Sequence, residues 1–369
     1  MTRCSFPRSA DDPISSTVLC DWKTRDSNTR DSLPCDNISM SARPKGMRLV
    51  PASALHALAL LAFWFVAEHF SLSARIGHFP STFTAFALIF APFWFFGFGL
   101  ADHLRSRITC RTTRVFTPAL LVIPYLIYAL PRGEFRRTFF LLFLAIPVGT
   151  SALYQFLPPG GTHPARSKIC WQDVLTLAIV GLPIEFNWFH AAFPNEGLNS
   201  LPKLLMVDAA LYAFLVARPL ENVGFDFRPR PRDLLIGLRE LLLFAPIVIT
   251  LGIALHFITP HGGLPRASAA ASALLITFFF VAIPEELFFR GLLQNMLEAR
   301  LGRARSLMIA AAIFGLSHFN KPGPFNWRYV LLATIAGIFY GRAWRDRQRL
   351  LTSAITHTLV DVLWILWFR

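Results

Sequence analysis

Residues 268–290 read SAAASALLITFFFVAIPEELFFR, and this stretch decides the fold. It runs from Ser268 to Pro284 without a charge and continues apolar beyond it. That approaches the ~20 residues that cross ~30 Å of hydrocarbon as a helix. Into the same run it sets Glu285, Glu286 and Arg290. A charged side chain at the centre of a membrane helix costs roughly 2.5 to 3.5 kcal/mol on insertion scales. Ionisable groups at that depth point to a polar site assembled within the membrane.

The rest of the chain repeats the apolar pattern. Of 369 residues 54% are hydrophobic, 36 are Phe, and only 16% are charged, against about 25% in soluble domains. Apolar blocks run near 50–68, 82–101, 116–130, 138–157, 172–190, 201–217, 240–258, 268–290, 306–320, 329–344 and 351–368. The fold class is therefore all-α, a multi-pass helical integral membrane protein of about eleven transmembrane helices. Its polar intramembrane site falls in the C-terminal bundle.

The net charge of +14 comes from 36 Lys+Arg against 22 Asp+Glu. The bases gather in short connections at 43–48, 102–114, 218–239, 299–305 and 342–349. Such clusters mark loops kept on the cytoplasmic side rather than a surface for nucleic acid. The connections 191–200, 258–267 and 320–328 carry few bases, which places them outside and the N-terminus in the cytoplasm. Loop 131–137, with Arg132, Arg136 and Arg137, dissents. The implied location is a cell (inner) membrane. The five cysteines include no C-x-x-C pair, so neither a disulfide framework nor a zinc cluster of cysteines is indicated.

Residues 1–46 are polar and without apolar periodicity, which reads as a disordered tail. Met47 opens directly into an apolar run, so translation starting at Met47 is a hypothesis; a native peptide from 1–46 in mass spectrometry would refute it. Residues 47–230 form a membrane region without chemical motifs. Residues 231–369 carry them, with the Pro/Arg-rich stretch 218–239 as the boundary.

Three motifs stand in order: Glu285-Glu286-x-x-x-Arg290, Phe314-x-x-x-His318 and His357-x-x-x-Asp361. Each pair spaced i, i+4 shares one helix face. Glu285 lies 14 residues before Ala299 and His318 lies 13 after Arg305. At ~1.5 Å per residue both sit about 20 Å from the same basic loop, so two antiparallel helices bring them to one depth. His357, eight residues after Arg349, falls about 12 Å deep by the same rise, and a cavity reaching all three is expected to open on the cytoplasmic side. Taken singly, each has a plainer reading: Glu286–Arg290 as an ion pair that eases a helix into lipid, a histidine as packing. Their conjunction on three helices carries the functional reading. Glu68, Glu185, Asp208, His56 and His256 are isolated and read as interfacial or structural.

The ordered set resembles the CPBP family, the CAAX prenyl proteases and bacteriocin-processing proteins, also called Abi or lysostaphin-resistance-protein-A-like. Pro284, Gly291 and the stretch from Gly337 to Trp344 add to the likeness, which spans about residues 230–369. The resemblance implies an intramembrane endopeptidase acting on a membrane-associated or lipidated peptide. It implies Glu285 as general base, His318 holding the attacking water, Glu286 and Arg290 fixing the first helix, and His357 with Asp361 near the developing oxyanion. Eukaryotic members carry Asn at the last position. Asp361, when ionised, accepts but does not donate, so it is read as orienting His357, which leaves the imidazole as donor.

Glu285, His318 and His357 also form the His₂-carboxylate set of catalytic zinc sites, making a divalent metal such as zinc a candidate cofactor. The H-E-x-x-H signature is missing. The competing class is a membrane transporter, or an immunity or scaffold protein, using the same polar groups for binding. No inverted repeat supports a transporter.

Overall fold

The computed structural model describes residues 49–159, 168–195, 197–261, 263, 266–321, 323 and 325–368. The tail 1–46 and the start at Met47 lie outside the described residues. Among those residues every regular element is helical, and an isolated backbone bridge joins Pro260 to Phe368. The protein is an all-α multi-pass membrane protein.

Eleven helical stretches follow the eleven apolar blocks in order. They are α1 (Val50–His69), α2 (Phe79–Phe96), α3 (Arg111–Arg132), α4 (Arg137–Phe156), α5 (Trp171–Glu185), α6 (Ser200–Ala217), α7 (Pro231–Ala254), α8 (Ala267–Leu301), α9 (Arg303–Leu316), α10 (Trp327–Arg347) and α11 (Leu350–Trp367). Eight of them, α1 to α4, α6 to α8 and α11, are long and apolar enough to cross a membrane. The other three depart from that standard for visible reasons. Helices α5 and α9 have 15 and 14 residues, and α10 carries Arg328, Arg342, Arg345, Asp346 and Arg347.

The first helices pack through aromatic rings. Phe63 of α1 meets Phe280 of α8 edge-on at 5.3 Å, and Phe90 of α2 meets Phe279 at 5.5 Å. Rings in this geometry contribute about 0.5–1.5 kcal/mol beyond their buried area. Helix α6 is the most enclosed span, packed against α2, α5 and α8. The motif-bearing helices form the other side: α7, α10 and α11 pack mutually, and α9 packs along α10.

Two buried arginines lock the connections. Asp173 accepts the Cys170 backbone N–H at the start of α5, which caps that helix. The same carboxylate takes a two-pronged bond from Arg218 at 2.6 and 3.1 Å and the Tyr154 hydroxyl at 2.9 Å, tying α4, α5 and the end of α6. Asp233 repeats the device at α7: it accepts Arg230 N–H and a pair of bonds from Arg349. Arg349 also reaches Asp226 at 2.8 Å and the Arg228 carbonyl at 2.7 Å. Gly224 lies so close beneath this clamp that a Cβ would stand 2.9 Å from Arg349 Cα, and its φ is +76°. The basic stretch after Arg218 is thus stitched to the helices on either side of it.

Helix α8 is irregular where the chemistry sits. Two π-helical stretches, Thr277–Ala282 and Leu287–Gln294, flank a single α-turn at Ile283–Glu286. Such wide turns recur at functional sites because they re-aim side chains that a regular helix would point elsewhere.

Candidate active site

Four of the six ionisable motif residues line one cavity of about 210 Å³: Glu285, His318, His357 and Asp361. Glu286 and Arg290 lie behind it, both fully buried. Arg290 Nη1 donates to Glu286 Oε1 at 3.0 Å, the expected i, i+4 pair. Its other prong donates to the Gly337 carbonyl at 3.2 Å, and its guanidinium lies 4.4 Å over the Phe314 ring. The pair therefore joins α8 to α9 and α10.

Glu286 has further partners that spacing did not reveal. His357 Nδ1 donates to Glu286 Oε1 at 2.8 Å, and the Ser353 hydroxyl donates to Oε2. Because a carboxylate only accepts, Nδ1 carries the proton and Nε2 is turned to the cavity. Nε2 lies 3.5 Å from Asp361 and 3.9 Å from Glu285. Tyr340 stacks on the imidazole at 4.5 Å. Glu286 thus makes the shorter bond to His357 and Asp361 a longer contact on its other nitrogen.

His318 ends the turn after α9. Its Nδ1 donates to the Phe314 carbonyl at 2.8 Å, so in the neutral ring Nε2 is the acceptor. Tyr329 packs against its ring at 4.6 Å. The close approach of α9 and α10 depends on Gly315, where a Cβ would stand 2.6 Å from the Val330 carbonyl and collide with Thr334 Oγ1.

The equal depth of Glu285 and His318 agrees with their place in one cavity. The expectation that His357 is shallower and that the cavity opens beside the basic loops does not hold. The cavity wall reaches Ile258, Lys321, Trp364 and Phe368, at the helix ends opposite those loops. The depth count assumed that the two basic loops lie level. They do not: a Cβ on Gly291 would touch Leu350 at 3.2 Å, so α11 starts level with Gly291. Helix α8 runs ten residues beyond that point to Leu301, about 15 Å further.

Among the described residues, no three His, Cys, Asp or Glu side chains stand disposed to hold a metal ion as placed. His357 bonds Nδ1 to Glu286 and His318 bonds Nδ1 to a backbone carbonyl, which leaves Nε2 as the open nitrogen of each ring.

Sequence reading missed Lys203. From α6 its Nζ comes within 3.4 Å of Glu285 Oε1 and 3.2 Å of the Phe280 carbonyl. A lone lysine near the start of an apolar block gives no signal of a partner 82 residues away. Glu185, read as isolated, pairs at 3.0 Å with Lys321 on the cavity wall. Asp208 is fully buried with no hydrogen-bond partner for either oxygen among the described residues. His56 stacks on Phe90 at 5.8 Å, a packing role.

Residues 267–363 match the family model described as Rce1-like: Type II CAAX prenyl endopeptidase Rce1-like. The match spans about a quarter of the chain and includes all six motif residues. No curated protein and no solved structure gives a significant match.

Proposed function

On a CAAX-endopeptidase domain of this kind, we propose that the protein hydrolyses a peptide bond of a membrane-associated or lipidated peptide. The observation that carries this reading is the convergence of Glu285, His318 and His357, from α8, the turn after α9 and α11, on one cavity. A water between Glu285 and His318 Nε2 would have an acceptor for each of its protons. Glu285 takes one proton as the oxygen attacks the scissile carbonyl carbon. The carbonyl becomes an oxyanion, and His357, whose Nδ1–H is fixed on Glu286, faces it with Nε2, which donates when the ring carries both protons. The C–N bond then breaks, and Glu285 returns its proton to the leaving amine. The products are a new carboxylic acid and a free amine.

The same reading makes Asp361 a neighbour that shapes the donor rather than a donor itself. The apolar remainder of the wall, with Phe244, Val248, Ile249, Leu332 and Trp364, suits an aliphatic or isoprenoid chain beside the scissile bond.

Host cells expressing wild type or Glu285→Ala at equal levels provide the test, with new peptide ends profiled by mass spectrometry of the membrane fraction. The reading expects a set of ends present with wild type and missing with the variant. Identical profiles would replace it with a binding role for the cavity.

A further inference from the structure

Phe280 lies in the π-helical stretch Thr277–Ala282, five residues before Glu285. A lysine from another helix meets both: Lys203 Nζ donates to Phe280 O at 3.2 Å and lies 3.4 Å from Glu285 Oε1. One ammonium therefore spans a backbone carbonyl of α8 and the carboxylate that follows it. Lys203 is held on α6, the most enclosed of the spans. Its side chain and that of Glu285 are each about three-quarters buried, where charge is less screened than in water.

We propose that Lys203, which lies outside the segment matching the family model, is a positioning residue that holds the Glu285 carboxylate in place as a charged group. The inference rests on the reading of Glu285 as the base and deepens it, because it gives the N-terminal membrane region a part in the site. The other charged or titratable groups facing Glu285 are already engaged. His357 is bonded to Glu286, His318 to the Phe314 carbonyl, and Lys321 to Glu185. Asp361, on the same cavity wall, has the opposite sign and cannot substitute. Lys203 is the cation that α8 itself holds beside Glu285, through the Phe280 carbonyl.

A lipophilic carbodiimide modifies carboxyl groups in their protonated form, so the extent of modification at Glu285 reads the charge state directly. The measurement uses the full chain in liposomes at neutral pH, with mass spectrometry at Glu285. Lys203→Met is expected to raise the modification about tenfold or more, the change due to loss of an opposite charge within ~4–6 Å. Lys203→Arg should stay near wild type. Equal modification in wild type and Lys203→Met would overturn the proposal. If Lys203→Met does not fold, the reciprocal experiment decides: acetylation of Lys203 should rise in Glu285→Gln, and an unchanged extent would overturn the proposal. Neither readout involves proteolysis, so the pairing and the protease reading stand or fall separately.

Discussion

Glu286 accepts from Arg290, Ser353 and His357 while wholly removed from solvent. A neutral amide at this position keeps the shape but loses the charge that holds His357 Nδ1–H. Glu286→Gln is therefore expected to lower kcat/KM about 10–100-fold, as for loss of an orienting partner behind a functional group. Asp361→Asn, which changes a contact of 3.5 Å, is expected to cost less than Glu286→Gln. The reverse order in a cleavage assay would reassign the two carboxylates. On the reading of Glu285 as a base acting without a metal ion, activity should survive exhaustive chelation. Loss of activity restored by zinc would show that the side chains regroup around an ion. At this scale the sequence held the ionisable residues and their faces, because i, i+4 spacing is a local property. It could not hold the Glu286–His357 bond or Lys203, since both depend on which helices become neighbours.

Helix α9 and helix α10 touch through backbone. A Cβ on Gly337 would stand 2.9 Å from Ala311 Cα, and one on Gly315 would strike Thr334 Oγ1 and the Val330 carbonyl. Gly315→Ala should therefore push the helices apart and displace His318, three residues on. We expect a loss of about 1–3 kcal/mol in stability, the usual cost of overpacking, and a larger fall in activity. Thr334→Ala in the same chain should recover part of the stability, since the Val330 carbonyl still obstructs at 2.6 Å. Thermal unfolding of wild type and the two variants checks this, and a neutral Gly315→Ala would refute the close-contact account. The elements themselves were legible, because unbroken apolar blocks leave few alternatives to a helix. The π-stretches of α8 were not, for a wide turn leaves no mark in composition. The different depths of the two basic loops were equally hidden, and that is why the placing of the cavity mouth failed.

Across the whole molecule, the clamp of Arg349 on Asp226 and Asp233 closes the basic stretch onto α11. Burial pushes the Asp226 carboxyl up, but hydrogen bonds from Arg228 and Arg349 outweigh it and leave it below its ordinary 3.8. The sign follows. The folded chain binds that proton less tightly than the unfolded chain, so the stabilisation is complete above the ordinary carboxylate value and is lost as pH falls through the lower folded one. Asp226→Asn should thus lower the unfolding temperature at neutral pH and flatten its decline in acid; a parallel shift at every pH would remove Asp226 from the account.

Eleven apolar blocks became eleven helical stretches, but eight meet the length and apolarity of a span. Hydropathy alone could not set the length of two short helices or discount the charges at the end of a third. The central claim is that Glu285 is the base of a peptide-bond hydrolysis. Its most direct test is the cleavage rate of purified protein in liposomes, with a lipidated peptide drawn from the profiled substrates. Glu285→Gln, folded as wild type, should lose about 10²–10⁴-fold in rate, the range for removal of a general base. Cleavage by Glu285→Gln at the wild-type rate would contradict the account.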